Sequence, residues 1–345
     1  MGKKQKNHIV QIWIVVILVV AIIAGVICLK NSIFKPFKPG KTVYVYVDEK
    51  RNFDDLVLQL KQKANLPSEK TFRLLAKWMN YTDKMKTGRY AVKDGMIMPE
   101  LIYALRSGHQ APVNLTFNNI RTKENLASRI SQQLMMDSVS FLNALNDSAT
   151  VANFGFDIYT IPAMFIPNTY QVYWDTDIPD FLSRMKREYR VFWNNDRLAK
   201  AQKIGLSPIQ VSILASIVEE EATYSDEYST VAGLYLNRMR KGMKLEADPT
   251  VKFAVGDFSL KRIRHEHLIV DSPYNTYKYE GLPPGPIRIP SIKAIDSTLS
   301  ATPHKYLYMC AKEDLSGRHN FATTFAQHKI NAMRYRMALN RKGIF

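Results

Sequence analysis

The sequence predicts an α+β protein in three parts: a single N-terminal transmembrane helix, a small α+β module and a larger mixed α/β region. Three observations carry that prediction. Residues 9–29, "IVQIWIVVILVVAIIAGVICL", form an uncharged apolar run near the N-terminus. Behind it, residues 42–111 alternate between strand-like and helical hydrophobic spacing. The chain then continues to 345 residues at 46% hydrophobic and 11% aromatic content, more than one small module needs.

The apolar run suffices as a helix to cross a hydrocarbon core of about 30 Å. A cleaved signal peptide carries an apolar region of roughly 7–15 residues before its cleavage site, whereas this run is longer and meets Lys30. An uncleaved anchor is therefore expected, with residues 1–8 as a cytoplasmic tail. Lys3, Lys4 and Lys6 precede the span and Lys30, Lys35, Lys38 and Lys41 follow it, so positive charge alone does not orient it. A short tail inside and a large domain outside is the simplest arrangement. Cys28 lies in the anchor and Cys310 in "KYLYMCA", which reads as a buried strand, so no disulfide joins them and the redox compartment stays open.

Residues 30–41, with two prolines, a glycine and several lysines, read as a linker. "TVYVYV" then alternates as a strand, "NFDDLVLQLKQKA" and "SEKTFRLLAKWMNY" have helical spacing, "GRYAV" returns a strand, and "MPELIYALRSG" is a helix with a glycine stop. This strand, helix, helix, strand order makes residues 42–111 an α+β module, or on the plainest reading a spacer.

Residues 112–345 form the next region. "PVNLTFNNI" reads as a strand leading to "TKENLASRISQQL", with Thr122 as N-cap and Leu126, Ile130 and Leu134 on one face. In "FIPNTYQVYW" the tyrosines and Trp174 suit either a core or a sugar-stacking surface, the core being the commoner use of such spacing. "IPDFLSRMKREYRVFWNN" is an amphipathic helix. "HEH", His265–His267, offers two metal ligands from one strand without a third, and such pairs are usually plain surface. No metal site is expected.

The most informative stretch is "SPIQVSILASIVEEEA". Ser207 caps a helix with Pro208 at its first position and Gln210 closing a capping box. At 3.6 residues per turn Ile209, Ile213, Leu214, Ile217 and Val218 share a face with Glu221, which points to the core edge. Glu219 falls opposite, with Ser212, Ala215, Ser216 and Ala222, small residues over which an extended ligand can approach the backbone. Glu220 lies between them and is expected to be solvated. A carboxyl group in a desolvated cleft has a raised pKa and can donate a proton near neutrality, as glycosidic cleavage requires. Ion pairing with nearby basic residues explains three acids equally well, so periodicity leaves both readings open.

Residue blocks add a resemblance. "LASIVEEEA", "LYLNRMRKGMKLEADPTVKFA" and "DSPYNTYKYEGLPPGPI" resemble corresponding blocks of the MltG (YceG-like) family of membrane-anchored endolytic murein transglycosylases, most densely over residues 206–345. "FIPNTYQVYW" resembles an upstream turn of that family, and residues 42–111, with "TGRYAV" and "LRSG", look like its LysM-like module. The resemblance implies an active-site helix in a cleft, with Glu219 as catalytic acid/base and Glu221 in support. It places Asn237, Arg238, Asp248, Pro249, Thr250, Tyr274, Asn275, Thr276 and Tyr277 in blocks that line the family's cleft. The asparagines suit acetamido or hydroxyl groups and Tyr274 or Tyr277 a sugar ring, while Gly281–Pro286 reads as scaffold. Departures from the pattern are Glu220 for lysine, Phe253 for tyrosine, Ile289 and Ser291 where "NPG" is common, and "FAQHK" near the end, which weakens any role for His328.

The implied reaction cuts the MurNAc–GlcNAc bond within peptidoglycan glycan strands. Glu219 protonates the bridging oxygen, and the muramoyl 6-hydroxyl, deprotonated by the resulting carboxylate, closes a 1,6-anhydro ring without metal or organic cofactor. The location implied is the bacterial cell membrane with the catalytic part outside the cytoplasm, and the candidate protein partners are cell-wall synthases and division proteins. A net charge of +17 fits a polymer bearing carboxylates and an acidic lipid surface. Nucleic acid is set aside, because the basic residues are spread through folded elements beyond an anchor and form no recognition motif. A hydrolysing muramidase and a non-catalytic glycan-binding scaffold stay open as alternatives.

Overall fold

Helix α1 (Lys3–Ile33) contains Gln11–Ile33, long and apolar enough to cross a bilayer, in a computed structural model that describes residues 3–260 and 262–343. The chain divides into two units, Met1–Asn114 with Gln171–Thr176, and Leu115–Tyr170 with Asp177–Phe345.

In the first unit α1 runs past Leu29, and its end is fastened rather than free. Ser32 Oγ lies 2.7 Å from Thr71 Oγ1, and Ile33 packs on the module's core. Phe37 is fully buried, its N–H donating to Met96 O at 2.8 Å and its carbonyl accepting from Gly95 N at 3.0 Å. The expected linker 30–41 is thus helix to Ile33 and then an edge of the module, because burying one phenylalanine is worth about 2 kcal/mol. Strand β1 (Val43–Val47), α2 (Phe53–Ala64), α3 (Glu69–Trp78) and β2 (Gly88–Val92) follow in the expected order, with β1 antiparallel to β2 from Val43↔Val92 to Val47↔Gly88. Helix α4 (Met98–Ser107) stops at Gly108, whose φ of 79° suits glycine. Val45, Leu56, Leu60, Phe72, Tyr90 and Leu101 fill the core.

Residues 171–176 join this unit and not the region that follows it in sequence. The Trp174 ring meets Tyr46 edge-on at 4.9 Å, and Asp175 accepts from Thr87 Oγ1 at 2.6 Å and Gln110 Nε2 at 2.9 Å. Side-chain bonding over this distance in sequence is invisible to periodicity, so the expected region 112–345 does not separate these six residues.

The next elements are β3 (Val113–Phe117), α5 (Lys123–Ser131), α6 (Ser138–Asn146), α7 (Ser148–Ala152), a 3-10 turn (Ile161–Met164) and β4 (Asn168–Val172), which pairs with β3. Thr122 caps α5 by accepting from Asn125 N. Then come α8 (Ile178–Phe192), α9 (Asn195–Ile204), α10 (Pro208–Glu221), α11 (Tyr228–Arg240), α12 (Asp248–Val255), α13 (His265–Leu268) and α14 (Ile292–Leu299). Strands β5 (Tyr308–Ala311) and β6 (His319–Ala322) make an antiparallel hairpin, and α15 (Phe325–Arg341) closes the chain. The "HEH" segment is therefore the short helix α13 and not a strand. Strand β5 is half-buried rather than buried, with Met309, Cys310 and Ala311 bordering a cavity.

Helix α10 is the centre of the second unit. Its capping box forms as expected, Ser207 Oγ accepting from Gln210 N and Gln210 Oε1 from Ser207 N. Val211–Val218 are buried on every side, and α9, α11, α12 and α14 pack around them. The face of small residues is not open to a ligand. Ser216 Oγ accepts from Ile287 N at 3.1 Å, and α14 takes the space, because side chains this small let another backbone approach closely.

Candidate active site

The three glutamates at the end of α10 receive three different environments. Glu219 accepts from the backbone N–H of Ser291 at 2.8 Å and lies 3.6 Å from Arg288 Nε, an ion contact too long for a hydrogen bond. Its side chain is 12% exposed, and what surrounds it offers hydrogens rather than a place to deliver one. Glu220, expected in solvent, is clamped. Arg121 Nη2 donates to both its oxygens at 2.9 and 2.8 Å, and Arg288 Nη1 donates at 2.8 Å. The departure from lysine at 220 therefore has a physical reason, since a third cation beside Arg121 and Arg288 would repel them.

Glu221 turns to the other side and lines a cavity of ≈ 250 Å³. Tyr235, buried on α11, donates its hydroxyl to Glu221 Oε1 at 2.9 Å. Burial nevertheless pushes the Glu221 carboxyl up to about 7, because desolvation penalises its charged form more than the Tyr235 bond and the Arg238 and Lys252 charges favour it. The same burial, with a carboxyl beside it, drives the Tyr235 phenol well above its ordinary range.

Arg238, Asp248 and Tyr277 line this cavity too. Arg238 is buried and donates through Nε to Leu307 O at 2.6 Å and through Nη1 to Leu245 O at 2.8 Å and Glu246 Oε2 at 3.0 Å. Tyr277 donates its hydroxyl to Asp248 Oδ1 at 2.7 Å, and burial with that bond raises its phenol. Glu246 holds a left-handed backbone at φ 51°, a strained setting for a residue with a Cβ, on the cavity wall. The β5–β6 hairpin forms the facing wall with Met309, Cys310, Ala311 and His319. His319 Nδ1 lies 3.0 Å from Glu227 Oε2, and its backbone N–H donates to Glu227 Oε1 at 3.1 Å.

Other expected residues are occupied elsewhere. Asn237 Nδ2 donates to the carbonyls of His304 and Tyr306 at 2.8 and 3.1 Å, and Asn275 Nδ2 to those of Leu268 and Val270 at 2.8 and 2.9 Å. Both asparagines hold loops together instead of offering amides to a ligand. Thr250 and Thr276 are buried, their hydroxyls 2.8 Å apart, with Thr276 Oγ1 accepting from Ala247 N at 3.0 Å. The Tyr274 ring meets Phe253 at 4.7 Å with the planes tilted by 45°, and Pro249 borders a separate small pocket with Arg121 and Glu220. Sequence spacing does not bring Tyr235, Glu246, His319, Arg121 or Arg288 to these glutamates and this cavity, where the structure places them. Tyr235 stood in a quoted block and His319 in "GRHNF", but nothing in local spacing ties either to α10.

Known proteins resemble this chain over most of its length. The sequence profile of the YceG-like family matches residues 45–334. A Bacillus subtilis protein named endolytic murein transglycosylase is 27% identical over 339 residues, covering 93% of each chain. A Streptococcus pneumoniae protein of the same name is 25% identical over 325 residues, covering 84% of this chain and 58% of that one. A crystal structure of a YceG-like protein from Listeria monocytogenes matches with a TM-score of 0.57 at 25% identity, over 84% of this chain and 99% of that one.

Proposed function

From the premise that the chain belongs to the YceG-like family, we propose that it is an endolytic murein transglycosylase held at the bacterial cell membrane by α1. The catalytic unit lies outside the cytoplasm and acts on nascent glycan strands. The observation that carries the chemistry is the Glu221 carboxyl on a cavity wall, held by the Tyr235 hydroxyl at 2.9 Å in surroundings whose burial favours its protonated form. Glu221 protonates the oxygen between MurNAc and GlcNAc, the C1–O bond breaks through an oxocarbenium-like state, and the muramoyl 6-hydroxyl attacks C1. A base in the cavity accepts the hydroxyl proton, and a 1,6-anhydro end results. The attacking group belongs to the substrate, so its effective concentration is high and no cofactor is needed.

The resemblance assigns the acid to Glu219, whereas the surroundings of the two side chains favour Glu221 as donor and Glu219 as the acceptor that fixes Ser291 and Arg288. Arg238, Asp248 and Tyr277 then line the glycan subsite. The order β1, α2, α3, β2 supports a LysM-like role for the first module. A second reading, a hydrolysing muramidase, draws on Asp248, an exposed carboxylate on the same cavity.

The test is mass spectrometry of products from uncross-linked peptidoglycan strands. Internal fragments whose new ends are one water lighter than reducing ends are expected; reducing ends would replace the transglycosylase by the hydrolase, and uncut strands would leave neither.

A further inference from the structure

We propose that the open pocket just beyond the end of α1 binds the phosphate headgroup of an anionic phospholipid, an inference that rests on the reading of α1 as a membrane anchor. The pocket, of ≈ 430 Å³, lies wholly within the first unit. Lys35, Pro36 and Lys38 form one side, and Lys61 with the turn after α2 forms the other.

Its depth follows from the helix. At 1.5 Å per residue the 23 residues Gln11–Ile33 extend about 34 Å, enough to cross a hydrocarbon core of about 30 Å. Trp13, exposed near the start of that span, suits the opposite interface, where aromatic belts lie. Lys35 follows Ile33 by two residues, at most about 7 Å of chain, and a headgroup layer is about 5–7 Å thick on each side. The pocket therefore opens among headgroups when α1 spans the bilayer.

The lining suits one class of ligand. Lys35 and Lys38 are exposed and take part in no ion pair among the described residues, whereas Lys61 is already matched by Glu69 at 2.9 Å. Two uncompensated cations stand beside a wall of Pro36, Leu66 and Pro67. Cations attract the phosphate diester, and the apolar wall suits the glycerol and upper acyl carbons that a free phosphate lacks.

The segment that carries the lysines is held in place before any ligand arrives. Phe37 between them is buried and bonded through its backbone to Met96 and Gly95. Asn65 Nδ2 donates to Lys38 O at 2.9 Å, fixing the segment to the end of α2, and the left-handed Asn65 backbone, φ 51°, donates its own N–H to Leu60 O. Binding to a segment already ordered loses little conformational entropy.

The experiment is native mass spectrometry of the full-length protein, released from detergent after addition of phosphatidylglycerol or phosphatidylcholine. Wild type is expected to retain one phosphatidylglycerol about tenfold or more in preference to phosphatidylcholine. Lys35→Gln with Lys38→Gln is expected to bring that preference within about twofold. Lys77→Gln with Lys84→Gln, which removes the same charge from exposed lysines outside the pocket, is expected to keep it. No preference in wild type, an unchanged preference in the pocket variant, or an equal loss in both double variants overturns the proposal. Displacement of the lipid by millimolar inorganic phosphate at constant ionic strength would assign the pocket to free phosphate and overturn the lipid. Release of the full-length protein from membranes by alkaline carbonate would instead remove the anchor reading, whichever lipid the pocket retains in detergent.

Discussion

Tyr235, buried on α11, donates its hydroxyl at 2.9 Å to the half-buried Glu221 on α10, and the two groups bias one another's protonation. The bond favours the carboxylate and opposes the burial that raises it, so Glu221 sits at a balance point near neutrality.

Tyr235→Phe removes the lowering contribution and leaves the desolvation. The alkaline limb of the pH–rate profile, where Glu221 loses its proton, should therefore move to higher pH. A limb that stays or moves down would mean that another group limits activity there.

The two outer glutamates should differ in kind. Glu221→Gln keeps shape and removes the proton, and should reduce turnover by about 10³-fold or more with binding retained. Glu219→Gln should reduce turnover far less and destabilise the fold by about 1 kcal/mol through its contact with Ser291. Parallel kinetics and urea unfolding check both, and the opposite ranking would return the acid to Glu219.

Stability should carry the Glu221 signature. Below about pH 4.5 folded and unfolded chains both hold its proton. As pH rises the unfolded chain releases it first, and the folded state loses up to about 3 kcal/mol by the time pH passes 7. The stability of Glu221→Gln relative to wild type should therefore grow with pH through that window, which paired urea titrations at several pH values measure.

Gly285 is set so close to its neighbours that a Cβ would stand 2.0 Å from Tyr159 O and 2.9 Å from the Tyr274 hydroxyl. Gly285→Ala should destabilise the second unit by about 1–3 kcal/mol, read by thermal unfolding. An unchanged melting temperature would show that the turn yields.

The elements that local physics dictates were legible. The alternation of β1, the Ser207 capping box and the Thr122 cap each need only residues within a turn of one another. What was not legible depends on distant partners. The small-residue face looked open because nothing in "SILAS" announces that α14 lies over it. Glu220 looked solvated because Arg121 and Arg288 lie 99 and 68 residues away in sequence. Asn237, Thr250, Asn275 and Thr276 stood in recognisable blocks, yet their hydrogen bonds end on neighbouring loops and one another. Recognisable blocks supply much of the cavity wall, and packing decides which of their side chains face it.

Under the proposed anchoring by α1, its fastening at Ser32, Ile33 and Phe37 has a mechanical consequence. A flexible tether would let the first module swivel above the lipid. A helix continuous with the module's core acts as a rigid handle, so any tilt the span adopts to match bilayer thickness turns that module through the same angle.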